Sequence, residues 1–130
     1  MITEENVIVM DIDGTICEIK KKDEEYIDIK PKMEVIKKLN QLKNDGYYII
    51  LFTSRQMRTY KGNVGKINAN TAKTLFEWLD KHNIPYDEIY FGKPWCGKNG
   101  FYVDDRAIRP REFVELSHDQ IENLINKDRL

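Results

Sequence analysis

Asn6-Val7-Ile8-Val9-Met10-Asp11-Ile12-Asp13-Gly14-Thr15 is the stretch whose reading decides the fold. Val7 to Met10 is a continuous apolar run without polar alternation, the pattern of a strand covered on both faces in a parallel sheet. It stops at two aspartates and a glycine, so polar chemistry follows directly on a buried strand. The same arrangement recurs along the chain. Tyr47 to Phe52 leads into Thr53-Ser54-Arg55, Glu88 to Phe91 into Gly92-Lys93-Pro94, and Phe101 to Val103 into Asp104-Asp105-Arg106. Helical spacing fills the intervals. Pro31 opens a helix carrying Val35, Ile36, Leu39 and Leu42 and closed by Gly46. A second helix carries Ala72, Leu75, Phe76 and Leu79 and is stopped by Asn83 and Pro85, with His82 as a cation at its C-terminus. Ser117-His118-Asp119-Gln120 is a capping box for a last helix with Ile121, Leu124 and Ile125. Alternating strands and helices predict an α/β fold with a parallel, doubly wound sheet. The polar motifs then line the carboxyl edge of that sheet, where such folds place their ligands.

A hairpin of Ile16 to Ile19 against Tyr26 to Ile29, with Lys20-Lys21-Lys22-Asp23 at its tip, is expected after the first strand, and a polar loop is expected up to about Asn70. The length of 130 residues, without repeats or linker-like tracts, predicts one domain over 1–130. With 41% hydrophobic residues and a net charge of −1, the chain is neither disordered nor basic enough for a protein that lives on nucleic acid. Lys20-Lys21-Lys22 is answered at once by Asp23-Glu24-Glu25. No apolar run approaches the ~20 residues of a membrane span, and the acidic start is unlike a signal peptide. Two cysteines, Cys17 and Cys96, make no disulfide framework and no metal cluster, so a reducing cytoplasm is the expected location.

Each polar group has a bland reading. Asp-Gly is a common turn pair, Thr53 can cap a loop, and Lys93 can be solvated. Together they are harder to dismiss. Four carboxylates, a hydroxyl and an ammonium at one sheet edge would repel unless a cation joined them, and Mg²⁺ favours a few carboxylate oxygens with water and substrate phosphate.

In order and strand placement the four motifs resemble those of the haloacid dehalogenase (HAD) superfamily: Asp11-Ile12-Asp13-Gly14-Thr15, Thr53 after its strand, Lys93 in Gly92-Lys93-Pro94, and Tyr102-Val103-Asp104-Asp105. The match spans about residues 6–113. The resemblance implies a Rossmann-like three-layer sandwich and a phosphatase working through an aspartyl-phosphate. Asp11 would be the nucleophile, and Asp13 the acid that protonates the leaving oxygen and then activates water. Thr53 and Lys93 would stabilise the phosphoryl group, with Gly14 and Thr15 shaping the loop around it. Mg²⁺ would be held by Asp11, Asp13, Asp104 and Asp105. Receiver domains use similar residues, but place a lone phosphoacceptor mid-chain, whereas here the second acidic pair comes last.

The intervals between motifs are filled by core elements, so the resemblance implies a capless enzyme with a small flap hairpin. An open site implies a large substrate, or closure by a second subunit in a homo-oligomer. Ser54, Arg55 and Arg58 on the basic loop, and Trp95 beyond Lys93, are candidate substrate contacts, the arginines as bidentate anion binders. Arg106, Arg109 and Arg111 are candidates for a second anionic part of the substrate, or for pairing with nearby acids. At finer grain the chain resembles short HAD proteins of bacterial capsule and surface-polysaccharide gene clusters, which implies a small phosphorylated metabolite such as a sugar phosphate. A nucleic-acid end phosphate is the alternative substrate. The rival from another class is a non-catalytic scaffold of the same fold, against which stand the intact Asp11 and Asp13.

Overall fold

The computed structural model describes residues 5–128. They cluster into two compact units, the first running to Trp95 and the second beginning at Cys96. The first unit is a small Rossmann-like α/β fold. Its strands are β1 (Val7–Met10), β2 (Tyr48–Thr53) and β3 (Glu88–Phe91), all parallel in the spatial order β1-β2-β3. Register pairs Met10 with Leu51 and Thr53 with Phe91, so all three strands deliver their following residues to the same sheet edge. Helices α1 (Met33–Asn44), α2 (Val64–Asn70) and α3 (Ala72–Lys81) fill the crossovers.

The apolar patterns explain this arrangement. Val35, Ile36 and Leu39 are the buried stripe of α1, and Leu75, Trp78 and Leu79 that of α3. They share the interior with Met10, Ile49, Ile50 and Leu51 of the strands. Gly46 ends the first crossover with φ +97°, the left-handed conformation expected past a helix C-terminus. Asp87 fixes the entry to β3: its carboxylate accepts from Ile49 N–H at 2.8 Å, its own N–H donates to the Ile49 carbonyl at 2.8 Å, and Lys43 pairs with it.

Several expectations are corrected. The flap hairpin does not form: between β1 and α1 the ordered features are isolated bridges of Cys17 with Asp13 and Pro31 and a 3₁₀ turn at Tyr26–Asp28. The physical reason is that Ile16, Cys17 and Ile29 are buried, and Trp78 Nε1 donates to the Ile29 carbonyl at 2.9 Å, so the two ends of the segment are anchored in the core while the stretch between them is mostly exposed. The polar loop before Asn70 contains α2, started by Asn63, whose side chain accepts from Lys66 N–H. Against the expected cation at His82, burial first, and Lys81 second, lower its pKa below the ordinary 6.5. It lies instead against the Trp78 ring, with centroids 4.8 Å apart.

In the second unit the expected fourth strand is absent: residues 101–103 have no regular structure, and Phe101 and Val103 are 78% and 87% exposed. Two helices follow, α4 (Pro110–Glu115) and α5 (His118–Asn126). The capping box of α5 forms as its sequence predicts, with Ser117 Oγ accepting from Gln120 N–H and the Gln120 side chain accepting from Ser117 N–H. No helix among the described residues is long and apolar enough to cross a membrane.

Candidate functional site

The loop after β1 is wound around one atom. The Ile12 carbonyl accepts from Thr15, Ile16 and Cys17 N–H at 3.0, 2.9 and 3.4 Å, while Gly14 N–H donates to the Cys17 carbonyl at 2.9 Å. Such a tight turn requires Gly14 at φ +88°, and a Cβ there would stand 3.0 Å from Ile19 Cδ1. Lys32 Nζ ties the turn down from outside by donating to the Gly14 carbonyl at 2.9 Å. With Ile12 fully buried, alternation turns Asp11 and Asp13 away from the core, and both are partly exposed.

Asp11 is held from two sides. Thr15 Oγ1 donates to its Oδ2 at 3.1 Å, and Lys93 Nζ pairs with its Oδ1 at 3.3 Å. Lys93 comes from the end of β3, and its N–H donates to the Thr53 carbonyl at the end of β2, at 3.1 Å. Three strand ends thus converge through one ammonium–carboxylate pair and one backbone bond. Thr53 itself is fully buried, and its hydroxyl accepts from Arg55 N–H at 3.0 Å, fixing the turn that follows β2.

That turn points Arg55 inward. Its Nε and Nη2 donate to Asp13 Oδ2 and Oδ1 at 3.1 and 2.8 Å, a bidentate fork. The guanidinium also stands 4.5 Å over the Tyr26 ring. The side chain is 1% exposed, and Nη1 is buried with no hydrogen-bond partner among the described residues. The structure therefore corrects the expectation that Arg55 stands open to grip an anion, since its fork is already engaged by Asp13. Arg55 also lines a cleft of about 360 Å³ with Glu25, Tyr26, Tyr60, Thr74 and Glu77. Arg58 is exposed and stands 5.4 Å over the Trp95 ring, and Ser54 lends its carbonyl to Met57 N–H at 3.0 Å.

Sequence reasoning missed Cys17. Its buried Sγ lies 3.7 Å from Asp13 Oδ1 and 3.6 Å from the Ile12 carbonyl, as a weak donor to both. Burial, followed by the negative charge of Asp13, pushes its thiol pKa up to about 12, so it remains a thiol at neutral pH. Tyr26 was missed as well, having been assigned to a hairpin. The only sequence signal for either is proximity to the acidic loop.

Asp104 and Asp105 belong to the second unit, where both are exposed and Asp104 Oδ1 accepts from Arg106 N–H at 2.8 Å. Arg109 caps α4 through its backbone, its N–H donating to Glu112 at 2.8 Å. Among the described residues no group of three His, Cys, Asp or Glu gathers to hold a metal ion. The donor set in the first unit is nonetheless compatible with a hard cation. Each Asp11 oxygen receives one hydrogen bond and retains a lone pair, and Mg²⁺ is commonly bound through one or two carboxylates with water and a substrate phosphate.

Fold and site together define a Rossmann-like α/β protein with a lysine-paired acidic loop at its strand ends. The chain is similar to a Vibrio cholerae protein whose crystal structure was solved as a structural-genomics target. The two are 46% identical over 95% of this chain and 99% of the other, with a TM-score of 0.90. The chain belongs to the same family as that protein. No family model and no curated protein matches it.

Proposed function

We propose that the protein is a Mg²⁺-dependent phosphatase of the HAD type that hydrolyses a phosphomonoester of a small metabolite through an aspartyl-phosphate. The observation that carries this reading is the convergence on Asp11: a partly exposed carboxylate at the end of β1, oriented by Thr15 and backed by an ammonium from the end of β3. An anionic nucleophile attacking an anionic phosphoryl group needs such a neutralising cation, and one well-placed donor in a dry site contributes on the order of 2.7–4 kcal/mol.

Asp11 Oδ attacks phosphorus in line. The new O–P bond forms as the bond to the leaving oxygen breaks, and that oxygen takes a proton from Asp13. Water then attacks the same phosphorus, giving its proton to Asp13, and the Asp11–phosphorus bond breaks to release phosphate. Lys93 balances charge on the transferring group throughout. Arg55 and Cys17 position Asp13, so the fork must loosen as Asp13 takes or gives its proton. Bound Mg²⁺ would be held in the first unit by Asp11 and the Asp13 main-chain carbonyl, and would neutralise phosphoryl charge. The cleft beside Arg55 offers two tyrosine rings and two glutamates, a lining suited to a hydroxylated organic group such as a sugar.

Phosphate release from a panel of sugar phosphates, nucleotides and an aryl phosphate tests the reading, with Mg²⁺ and with chelator, beside Asp11→Asn. Metal-dependent turnover lost in the variant supports it. Turnover retained by Asp11→Asn refutes it, and so does an inert protein that still binds Mg²⁺ across the whole panel, oligonucleotide end phosphates included.

A further inference from the structure

The cleft beside Arg55 is lined by residues of the first unit alone, and it carries more acid than the chain itself answers. Glu25, just before the 3₁₀ turn, and Glu77 on α3 both line it. None of the ion pairs among the described residues includes either glutamate. Lys73 and Lys81 stand four residues either side of Glu77 on α3, yet neither pairs with it. Lys20 stands 5.4 Å over the Tyr26 ring, but its ammonium donates to the carbonyls of Lys21 and Glu24. Arg55 is the cation on the cleft wall, and its charge is matched by Asp13 through the fork. Two negative charges in the cleft are left unmatched.

Acids at a surface are commonly solvated and hold nothing, but here a buried donor accompanies them. The Arg55 side chain is 1% exposed, and its fork uses Nε and Nη2, so the planar guanidinium turns Nη1 away from Asp13. That Nη1 is buried with no hydrogen-bond partner among the described residues. Arg55 lines the cleft and Asp13 does not, which puts the unused edge of the guanidinium on the cleft side. A buried donor left unpaired is costly, and it marks a place for an acceptor from outside the chain.

We propose that the cleft binds an organic ammonium group with a neighbouring hydroxyl: the ammonium donates to Glu25 and Glu77, and the hydroxyl oxygen accepts from Arg55 Nη1. An ammonium brings donors and no acceptor, and its charge-assisted bonds to carboxylates are roughly twice as strong as those of a neutral hydroxyl. A second anionic group on the ligand is rejected by the same two glutamates. The volume of about 360 Å³ is near the lower end of small-molecule sites, enough for one sugar ring or a shorter amino alcohol. Tyr60, Asn70 and Thr74 add a ring, an amide and a hydroxyl to the lining, which favours an amino sugar. The guanidinium that borders the cleft also holds Asp13, so a leaving oxygen at Asp13 has its carbon skeleton one side chain away from the cleft. As a statement about substrate, an amine-bearing phosphomonoester, the inference rests on the phosphatase reading; as a statement about the cleft it stands apart from it.

The full chain is titrated with phosphate-free probes, namely a hexosamine, its N-acetyl form, the matching hexose and ethanolamine, while backbone amide signals are followed by NMR. The hexosamine is expected to move the signals of Thr71, Thr74 and Glu77. It should bind about tenfold more tightly than the hexose or the N-acetyl form, the preference that two partly solvated ion pairs together supply. High salt is expected to erase that preference, and the double variant Glu25→Gln, Glu77→Gln to bind hexosamine and hexose alike. Ethanolamine binding as tightly as the hexosamine supports the ammonium site and assigns it to a short amino alcohol instead of an amino sugar. Hexose binding as tightly as the hexosamine, a preference that survives in the double variant, or cleft signals that move with neither amine overturns the inference. The same comparison with phosphate esters separates it from the phosphatase reading. There kcat/KM is expected to be about tenfold higher for the hexosamine phosphate than for the hexose phosphate, a ratio that the double variant loses. Phosphate release with neither an amine preference nor movement of the cleft signals overturns the inference while the phosphatase reading stands. Amine binding at the cleft with no phosphate release from any ester supports the inference and removes the phosphatase reading.

Discussion

Replacing Arg55 with methionine tests the organisation of the site through stability alone. The change removes a guanidinium that is 1% exposed, donates twice to Asp13 and faces Tyr26, while keeping an unbranched apolar stem. Breaking a fully buried pair by deleting one partner costs about 3–5 kcal/mol. Here Asp13 is 25% exposed, so water replaces part of the loss, and the ring contact adds back roughly 0.5–1 kcal/mol. The net expectation is a loss of about 2–3 kcal/mol. At an unfolding entropy of roughly 2.1 cal/mol/K per residue over 130 residues, that lowers Tm by about 7–11 °C. Thermal unfolding followed by circular dichroism reads it directly. The double variant Arg55→Met, Asp13→Asn removes both charges and is expected to recover about 1–2 kcal/mol relative to Arg55→Met alone, because no carboxylate is left unpaired. A loss below about 0.5 kcal/mol for Arg55→Met, or a double variant as unstable as the two single losses added, would refute the reasoning.

Cys17 should resist alkylation by iodoacetamide at pH 8 in the folded protein, with its thiol near 12, and react only on unfolding; rapid labelling of the native chain at Cys17 contradicts the burial described. Asp87 is subject to burial, which opposes its charge, but Lys43 and Ile49 N–H overcome this and hold it below the ordinary 3.8. Its contribution is therefore complete above that value and is lost as pH falls through the lowered one. Asp87→Ala should cost about 1–2 kcal/mol at pH 7, with the gap to the unaltered protein narrowing in strong acid, as read by urea unfolding across pH. Lys93→Met should lower kcat about 100-fold or more while leaving the fold intact, and a variant that keeps full turnover removes Lys93 from the mechanism.

The three strands, α1, α3 and α5 were legible because each rests on local signals: continuous apolar runs, helical spacing, a capping box and a glycine past a helix end. The approach of Lys93 to Asp11 was legible for the same reason, since parallel strands deliver their next residues to one edge. The segment between β1 and α1 was misread because Ile16 to Ile19 and Tyr26 to Ile29 have strand-like composition, whereas burial of Ile16, Cys17 and Ile29, the last hydrogen-bonded to Trp78, decides their conformation, and that is tertiary. Arg55 looked like an exposed anion binder for a similar reason. Nothing in a basic loop announces that one arginine turns inward to a carboxylate 42 positions earlier. The segment 101–103 has strand composition but no strand, because composition names only a preference.

The most direct test of the central claim is a search for phosphate on Asp11. The protein would be mixed with Mg²⁺ and its best substrate, quenched in acid within the first turnover, digested, and the peptide containing Asp11 weighed by mass spectrometry. The account predicts that this peptide gains the mass of one phosphoryl group early in turnover, and that Asp11→Asn shows no gain. Phosphate release that proceeds at full rate while the Asp11 peptide stays unmodified at every quench time would contradict it.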